Sequence, residues 1–291
     1  MNEAEAAKNL ATPSSNRSYD VVYFDLDGTL LDGDSRIPKK NLYALSRLRA
    51  AGVRIGVATG RMYSAARRYI QQIASDAPAI LYNGAQLARP EDGTPLWEAH
   101  LTEETTATAV EAARSIGAHV NFYRGRDFYV ESLGPHGKKF IDKEDIYPQR
   151  VDDLISLLDN GPPLKLLLIG EPFHLVPCRK KLLEKLGDRV TLMFSEPDYL
   201  EVLPAGTNKG LALHQALRLL GIEGDRAVAF GDGENDAAML QQAGWGVAME
   251  NARTEAKEAA DHLTGPNTGD GISKALALGF PRILQTGDSA P

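Results

Sequence analysis

The amino-acid sequence predicts an α/β fold with a parallel-sheet core and an inserted second domain of mixed helices and strands. Short apolar runs alternate with helical segments from residue 19 onward, and the same alternation returns in the last third of the chain. Such βαβ units form a parallel sheet that helices cover on both faces. The residues between them follow a different pattern that includes a hairpin. Residues 19–86 and 199–284 are therefore predicted to form the core, and residues 87–198 the insert.

The two stretches of the predicted core have similar element orders. In the first stretch, Gly52 is the stop signal of the first helix. The predicted elements of this stretch are a strand at 20–24, a helix from Pro38, a strand at 53–58, a helix at 62–73 and a strand at 79–82. Those of the second are a helix at 208–220, a strand at 227–230, a helix at 235–242, a strand at 245–249, and helices at 253–260 and 271–277.

The predicted insert contains a hairpin, helices and further strands. Glu91, Asp92 and Gly93 mark the hairpin turn, whereas the Gly- and Lys-rich segment 134–139 interrupts the pattern and is assigned no element. A strand at 199–202 falls at the boundary with the core. The other predicted elements are helices at 103–116, 151–158 and around 180–186, and strands at 118–123, 128–131, 164–169 and 190–194.

Composition excludes several classes of function. The net charge of the 291-residue chain is −7, which argues against broad binding to nucleic acid or to an anionic membrane. No apolar run approaches the ~18 to 20 residues of a membrane-spanning helix. The single cysteine, Cys178, cannot form an internal disulfide. Residues 1–18 lack the apolar segment of a secretory signal and are predicted to be a disordered N-terminal tail. Together these features predict a cytoplasmic protein and leave its oligomeric state open.

The first predicted strand ends at a pair of carboxylates. Ligands bind outside the carboxyl ends of the strands in open parallel sheets. Asp25 and Asp27 lie two residues apart in extended chain, so they project to the same side and repel each other unless a cation or a proton lies between them. An exposed acidic turn is one alternative. A calcium-binding EF-hand loop is another, and it fails because its twelfth position would be Arg36 instead of Glu.

Three further segments carry polar residues at predicted ends of strands or helices. Thr59 and Gly60 follow the second strand, where a hydroxyl and a free N–H at the start of a helix suit a phosphate group; a plain helix cap is the alternative. Lys209 lies at the start of the helix predicted at 208–220, and considered by itself it is expected to be a surface residue. The acids of segment 231–236 crowd the end of the strand at 227–230. Hard oxygen ligands at this density favour Mg²⁺ over zinc. Other nucleotide and metal motifs, such as a P-loop or H-E-x-x-H, are absent from the sequence.

Taken together, the four segments resemble the motifs of the haloacid dehalogenase-like (HAD) phosphatase superfamily. DLDGTL at 25–30 looks like its first motif, Thr59 in ATGR its second, Lys209 in TNKG its third and GDGENDAAML at 231–240 its fourth. The position of the insert and the segments at 83–85 and 201–210 resemble the Cof-type branch, subfamily IIB. That resemblance implies a Rossmann-like core and an insert that forms an α/β cap domain of the C2B type.

The resemblance also implies a role for each residue. Asp25 is then the nucleophile that forms an aspartyl-phosphate, and Asp27 the general acid and base. Two larger sets follow from the same motifs. The Mg²⁺ ligands are Asp25, the backbone carbonyl of Asp27, Asp232 and Asp236, and the phosphoryl oxygens are held by Thr59, Gly60, Lys209 and Asn235. The implied substrate is a small phosphorylated metabolite such as a sugar phosphate or an FMN- or pyridoxal-phosphate-like monoester.

Two alternatives share this fold. A phosphomutase or phosphotransferase uses the same aspartyl-phosphate but passes it to a sugar. Phosphomannomutases usually interrupt the fourth motif, whereas GDGEND at 231–236 is compact. A non-catalytic regulatory protein typically loses the nucleophile or the metal acids, and all of them are present in this sequence. The sequence therefore favours a Mg²⁺-dependent phosphatase and does not name its substrate.

Overall fold

A computed structural model describes residues 18–284. Apart from Ser18, the predicted N-terminal tail lies outside the described residues. The chain divides into two compact units. Within the described residues, the core unit comprises 18–59, 66–96 and 208–284, and the insert unit comprises 60–65 and 97–207. The main segment of the insert unit thus begins and ends later in the chain than the predicted insert.

The core unit is built on a five-stranded parallel sheet. Its strands are β1 (Val21–Phe24), β2 (Arg54–Val57), β12 (Ala227–Gly231), β13 (Trp245–Ala248) and β14 (His262–Leu263). Their order is β14-β13-β12-β1-β2, and every pairing is parallel. All residues of β1 and β12 are buried, which explains why these strands read as uninterrupted apolar runs in the sequence. The predicted parallel-sheet core is confirmed.

The core unit also contains a small antiparallel sheet that the sequence pattern did not separate from the main one. It consists of β3 (Ala79–Leu81), β4 (Gln86–Ala88) and β5 (Pro95–Glu98) in that order. Strands β3 and β4 pair antiparallel, and the last two residues of β5 belong to the insert unit. The prediction that residues 79–82 add a strand to the core sheet was incomplete: a single parallel bridge, Ala58 to Ile80, joins β3 to the end of β2. The partner of a short apolar strand is decided by the turn that follows it, here the turn that brings β4 back against β3.

Helices connect the strands of the core unit in the predicted order. Asn208 caps the helix Lys209–Leu220 with a side chain that accepts from the N–H of Leu211, and Gly221 ends this helix in the left-handed conformation. The helices are α1 (Lys39–Ala50), α2 (Tyr63–Gln72), α6 (Lys209–Leu220), α7 (Ala237–Gln242), α8 (Thr254–Ala259), α9 (Gly271–Gly279) and α10 (Pro281–Leu284). The first residues of α2 belong to the insert unit.

The insert unit contains a six-stranded, mostly antiparallel sheet. Its strands are β6 (His119–Arg124), β7 (Asp127–Val130), β8 (Gln149–Arg150), β9 (Lys165–Ile169), β10 (Val190–Glu196) and β11 (Tyr199–Pro204). The order is β10-β11-β9-β6-β7-β8, and β7 and β8 are the parallel pair. Strand β11 pairs with β10 and β9, so the strand predicted at the boundary belongs to this sheet.

Three helices accompany this sheet: α3 (Glu103–Ser115), α4 (Pro135–Glu144) and α5 (Pro172–Leu186). Thr102 caps α3 by accepting from the N–H of Thr105. Helix α4 occupies the segment to which the sequence assigned no element. The helix begins with a proline in its first turn and buries Phe140 and Ile141. Burial of these two side chains stabilises a helix that the glycines of this segment disfavour.

The segment predicted as a helix at 151–158 is instead a 3-10 helix at Ile155–Asn160. Among residues 18–284, no helix has the length and apolar character that a membrane span requires.

Candidate active site

The carboxyl ends of β1 and its two neighbours carry the first, second and fourth motifs. Asp25 follows β1, and its N–H donates to the carbonyl of Phe230 on β12 at 3.0 Å. On the other side, the N–H of Ala58 donates to the carbonyl of Phe24 at 2.8 Å. Asp25 and Thr59 are both buried. The parallel ladder therefore places them at one edge of the sheet, as expected from their positions after strands.

Lys209 joins two of the carboxylates. Its Nζ atom lies 2.6 Å from Oδ1 of Asp25 and 2.6 Å from Oδ1 of Asp236, and its side chain is completely buried. Lys209 is the first residue of α6, which the Asn208 cap orients. Considered by itself, the position suggests a surface lysine, whereas the four motifs together assign Lys209 to the phosphoryl oxygens. The structure shows a buried cation between two acids.

The fourth motif folds back on itself around Asp236. The Oδ2 atom of Asp236 accepts hydrogen bonds from the N–H groups of Asp232 at 2.9 Å and Gly233 at 2.8 Å. Oδ1 of Asp232 accepts from the hydroxyl of Thr29 at 2.8 Å. A Cβ atom at Gly231 would lie 2.4 Å from Cβ of Asp236, so this turn requires glycine. Both oxygens of Asp236 and one oxygen of Asp232 are thus held in place.

The loop after β1 approaches the fourth motif closely. Gly28 has a φ of +80°, and a Cβ atom there would lie 2.3 Å from Oδ2 of Asp232. Its carbonyl accepts from the Nδ2 group of Asn251 at 2.8 Å. The side chain of Asp27 is exposed, whereas that of Asp25 is buried. The two acids of the first motif therefore lie in different environments.

The second motif continues into the insert unit. The N–H of Thr59 donates to the carbonyl of Ile80 at 2.9 Å, and its own carbonyl accepts from the N–H of Asn83 at 3.0 Å. Gly60, the next residue, belongs to the insert unit, where its carbonyl accepts from Nζ of Lys165 at 2.9 Å. The backbone on both sides of the Thr59–Gly60 peptide is therefore fixed by hydrogen bonds.

Asn235 is linked to the second motif through one side chain. Its Nδ2 group donates to Oδ1 of Asn83 at 2.9 Å. The structure thus brings the predicted residues into two connected groups: Asp25, Lys209, Asp232 and Asp236 in one, and Thr59 with Asn235, through Asn83, in the other. Asp27 and Gly60 adjoin these groups along the chain.

Burial and like charge shift the acidity of this cluster. Burial raises the pKa of Asp25 well above its usual range, and the charge of Asp236 raises it further against the opposing effect of Lys209. Burial, followed by the charge of Asp236, raises the pKa of Asp232 to about 6. Burial lowers the pKa of Lys209, but Asp236 and Asp25 outweigh that effect and raise it above its usual value. One lysine does not balance the acids gathered here.

The donor set fits a divalent metal ion. One carboxylate oxygen from each of Asp25, Asp232 and Asp236 lies within 4.8 Å of the others. Carboxylate oxygens are hard ligands that suit Mg²⁺, Ca²⁺ or Mn²⁺. A divalent cation would also provide the positive charge that Lys209 alone does not supply. The three side chains could therefore hold a metal ion, and Asp27 lies two residues from the first of them.

These features define a class of protein: an α/β enzyme with a buried lysine and a metal-compatible acidic cluster at the carboxyl edge of its parallel sheet. The chain belongs to the haloacid dehalogenase-like hydrolase family, whose model matches residues 22–276. The resemblance seen in the motifs is confirmed, and with it the class of phosphoric monoester hydrolases.

Named relatives of the chain are phosphatases. It is 32% identical over 243 residues to an HMP-PP phosphatase of Klebsiella pneumoniae, covering 84% of this chain and 88% of that protein. It is 29% identical over 264 residues to the 5-amino-6-(5-phospho-D-ribitylamino)uracil phosphatase YitU of Bacillus subtilis, covering 88% and 96%. Among solved structures, a HAD subclass IIB sugar phosphatase superposes with a TM-score of 0.79 at 26% identity, covering 88% and 97%.

Two asparagines in the site were not predicted from the sequence. Asn83 accepts from Asn235, and Asn251 holds the carbonyl of Gly28. Segment 83–85 contributes to the resemblance to the Cof-type branch, but an asparagine before glycine after a strand is usually interpreted as a turn residue, so Asn83 was assigned no role in the site. Asn251 lies beyond the fourth motif, where no pattern marks it. Only the folded chain shows what these two side chains contact.

Proposed function

We propose that this chain is a Mg²⁺-dependent phosphatase that hydrolyses a small phosphorylated metabolite through an aspartyl-phosphate on Asp25. One observation supports this above all others. Lys209 bridges Asp25 and Asp236 from a fully buried position, next to an acidic group that suits a divalent metal ion. Phosphoryl transfer needs an anionic nucleophile, an anionic substrate and enough positive charge to bring them together.

In the first half of the proposed reaction, a carboxylate oxygen of Asp25 attacks the phosphorus atom of the substrate. The bond between phosphorus and the ester oxygen breaks, and the leaving oxygen takes a proton from the carboxyl group of Asp27. The exposed side chain of Asp27, two residues beyond buried Asp25, suits a group that must meet the substrate. The products of this half are the free alcohol and the aspartyl-phosphate.

In the second half, the carboxylate of Asp27 takes a proton from a water molecule. The water oxygen attacks phosphorus, and the bond between phosphorus and Asp25 breaks. This step releases inorganic phosphate and restores the carboxylate of Asp25. Asp27 then carries the proton that the next substrate needs, so one side chain serves both halves of the cycle.

The remaining residues of the site bind and orient. Asp25, the backbone carbonyl of Asp27, Asp232 and Asp236 would hold Mg²⁺, which when bound supplies positive charge to the transferring phosphoryl group. We assign the phosphoryl oxygens to four groups with donors in this region: Thr59, the N–H of Gly60, Lys209 and Asn235. Thr59 and Asn235 are tied together through Asn83, which supports a joint function.

The proposed substrate class is a small phosphomonoester. The relatives act on HMP-PP, on a phosphoribitylamino-uracil and on a sugar phosphate, as their names state. Sugar phosphates and FMN- or pyridoxal-phosphate-like compounds share one terminal phosphate on a polar body, and we propose this class for the chain. The proposal includes a cytoplasmic location, where such metabolites occur.

Phosphate release from a panel of phosphorylated metabolites, measured with Mg²⁺ or with EDTA, tests this function. We expect release that requires Mg²⁺, with the organic product recovered as the free alcohol. Recovery of an isomerised sugar phosphate instead would point to a phosphomutase. A protein that releases phosphate equally well in EDTA would contradict the proposed metal dependence.

A further inference from the structure

The segment Tyr82–Gly84 forms an unusual turn. Three successive residues have left-handed φ angles: +52° at Tyr82, +54° at Asn83 and +99° at Gly84. For residues other than glycine this conformation costs roughly 1–2 kcal/mol each. Tyr82 and Asn83 are nevertheless buried. Strained backbone of this kind persists only where the surroundings enforce it, and it concentrates at functional sites.

The turn contacts three of the four motif segments. The N–H of Asn83 donates to the carbonyl of Thr59, and Oδ1 of Asn83 accepts from Asn235. Gly84 lies against the residue before Lys209: a Cβ atom at Gly84 would be 2.4 Å from the carbonyl oxygen of Asn208. The segments that carry the second, third and fourth motifs therefore meet at this one turn.

The hydrogen-bonding groups of the Asn83 side chain are incompletely satisfied. Its Nδ2 group is buried and has no hydrogen-bond partner among the described residues. A buried donor without a partner costs about 1–3 kcal/mol. An amide buried at that cost in a strained turn points to a role other than stability. Its side-chain oxygen accepts a hydrogen bond from the amide of Asn235.

We propose that Asn83 is a positioning residue that fixes the amide of Asn235 toward the transferred phosphoryl group. The inference rests on the proposed function, because that function assigns Asn235 to the phosphoryl oxygens. With one N–H of Asn235 held by Asn83, the amide plane of Asn235 has one orientation when the substrate arrives. Without that contact the amide of Asn235 can rotate away from the phosphoryl group. Both substrate binding and the transition state then lose an aligned hydrogen bond.

A simpler role must be separated from this one. Asparagine tolerates the left-handed region better than other residues with a side chain, so Asn83 could serve the turn alone. Asn83→Gly distinguishes the two roles because glycine adopts the same backbone conformation but lacks the amide. Ala74→Gly is a matched control: Ala74 has a φ of +47°, is exposed, and follows α2 away from the four motifs.

The experiment is a double-mutant cycle of Asn83→Gly with Asn235→Ala. Steady-state kinetics with p-nitrophenyl phosphate and Mg²⁺ are measured together with calorimetric binding of inorganic phosphate. Thermal unfolding confirms that each variant is folded. We expect Asn83→Gly to weaken phosphate binding and to lower kcat/KM by about ten-fold, the effect of one oriented hydrogen bond. Ala74→Gly should match the wild type.

In the Asn235→Ala background, Asn83→Gly should change neither quantity further, because Asn83 acts through Asn235. Effects of the two substitutions that multiply, or a variant Asn83→Gly that binds phosphate like the wild type, would overturn the inference. The wild type separates the two proposals. If it binds phosphate but releases none from any ester, the proposed function fails while the binding cycle still decides the role of Asn83.

Discussion

At the scale of single residues, Lys209 is a buried cation that requires negatively charged partners. It has no exposed surface, and its Nζ atom lies 2.6 Å from oxygens of Asp25 and of Asp236. A cation buried this completely is tolerated because two carboxylates surround it. The same contacts hold the proposed nucleophile in place before the substrate binds. In the proposed mechanism, Lys209 would therefore act in stability and in catalysis through the same atoms.

Replacing Lys209 by Met should affect both properties. The substitution keeps the length of the side chain but leaves the carboxylates of Asp25 and Asp236 without their shared cation. We expect the free energy of unfolding to fall by about 3–5 kcal/mol without metal, and by less with saturating Mg²⁺. We expect kcat/KM to fall by at least about 100-fold. Denaturant unfolding with Mg²⁺ or EDTA and steady-state kinetics provide the measurements.

Lys40→Met is the control for this substitution. Lys40 pairs with Asp270 at 3.3 Å on the surface, where both side chains are substantially exposed. Such pairs contribute about 0–1 kcal/mol. The control should unfold and turn over like the wild type. If Lys209→Met behaved like Lys40→Met, the buried bridge would have no role in either stability or activity.

At the scale of elements, the loop between β1 and α1 depends on the absence of a side chain at Gly28. The chain turns there with a φ of +80° and passes so close to Asp232 that a Cβ atom would lie 2.3 Å from its Oδ2. The hydroxyl of Thr29 binds the other oxygen of the same carboxylate. The loop that carries the first motif thus fixes a proposed metal ligand of the fourth.

Gly28→Ala should therefore weaken metal binding as well as folding. We expect the Mg²⁺ concentration for half-maximal activity to rise by roughly 10- to 100-fold, because Asp232 must move. Gly52→Ala is the matched control: its φ is +87°, and nothing lies within 4 Å of the added Cβ. Both variants should lose about 1–2 kcal/mol of stability from backbone strain. An equal Mg²⁺ requirement in the two variants would show that the loop does not position Asp232.

The accuracy with which each element could be predicted from the sequence depended on whether local sequence or tertiary contacts determine it. Strand β1 and helix α6 were predicted closely, because a buried apolar run and a capped amphipathic segment are local properties. The prediction for strand β3 was incomplete, since its pairing with β4 is decided by the turn at Tyr82–Gly84 and only one bridge joins it to the end of β2. Helix α4 was missed because burial of Phe140 and Ile141 outweighs the propensity of its glycine.

The same division holds for the site. Asp25 and Asp232 could be predicted because each follows a strand of one parallel sheet, where the carboxyl ends must meet. The buried state of Lys209 could not, because it depends on how α6 packs. Asn83 could not be predicted either, since its role arises from contacts with residues 24 and 152 positions away in the chain.

At the scale of the whole molecule, the chain combines a core that carries the family's motifs with an insert unit whose sequence does not identify a substrate. The four motifs, the residues that meet at the sheet edge and the match over residues 22–276 agree with one another. A net charge of −7 fits an enzyme that attracts anionic substrates through a local cationic group and a metal ion, instead of through its overall charge. The oligomeric state stays open.

In the proposed mechanism, the phosphoryl group is transferred to Asp25 before water releases it as phosphate. The most direct test of this transfer is the rate of phosphate release by the wild type and by Asp25→Asn, with Mg²⁺, on the best ester of the panel. Asparagine keeps the shape of the side chain and removes the nucleophilic carboxylate. Asp34→Asn, at an exposed acid nearby in the chain, is the control. We predict that Asp25→Asn loses at least about 1,000-fold in rate while the control keeps full activity. Release by Asp25→Asn at the wild-type rate would contradict the mechanism.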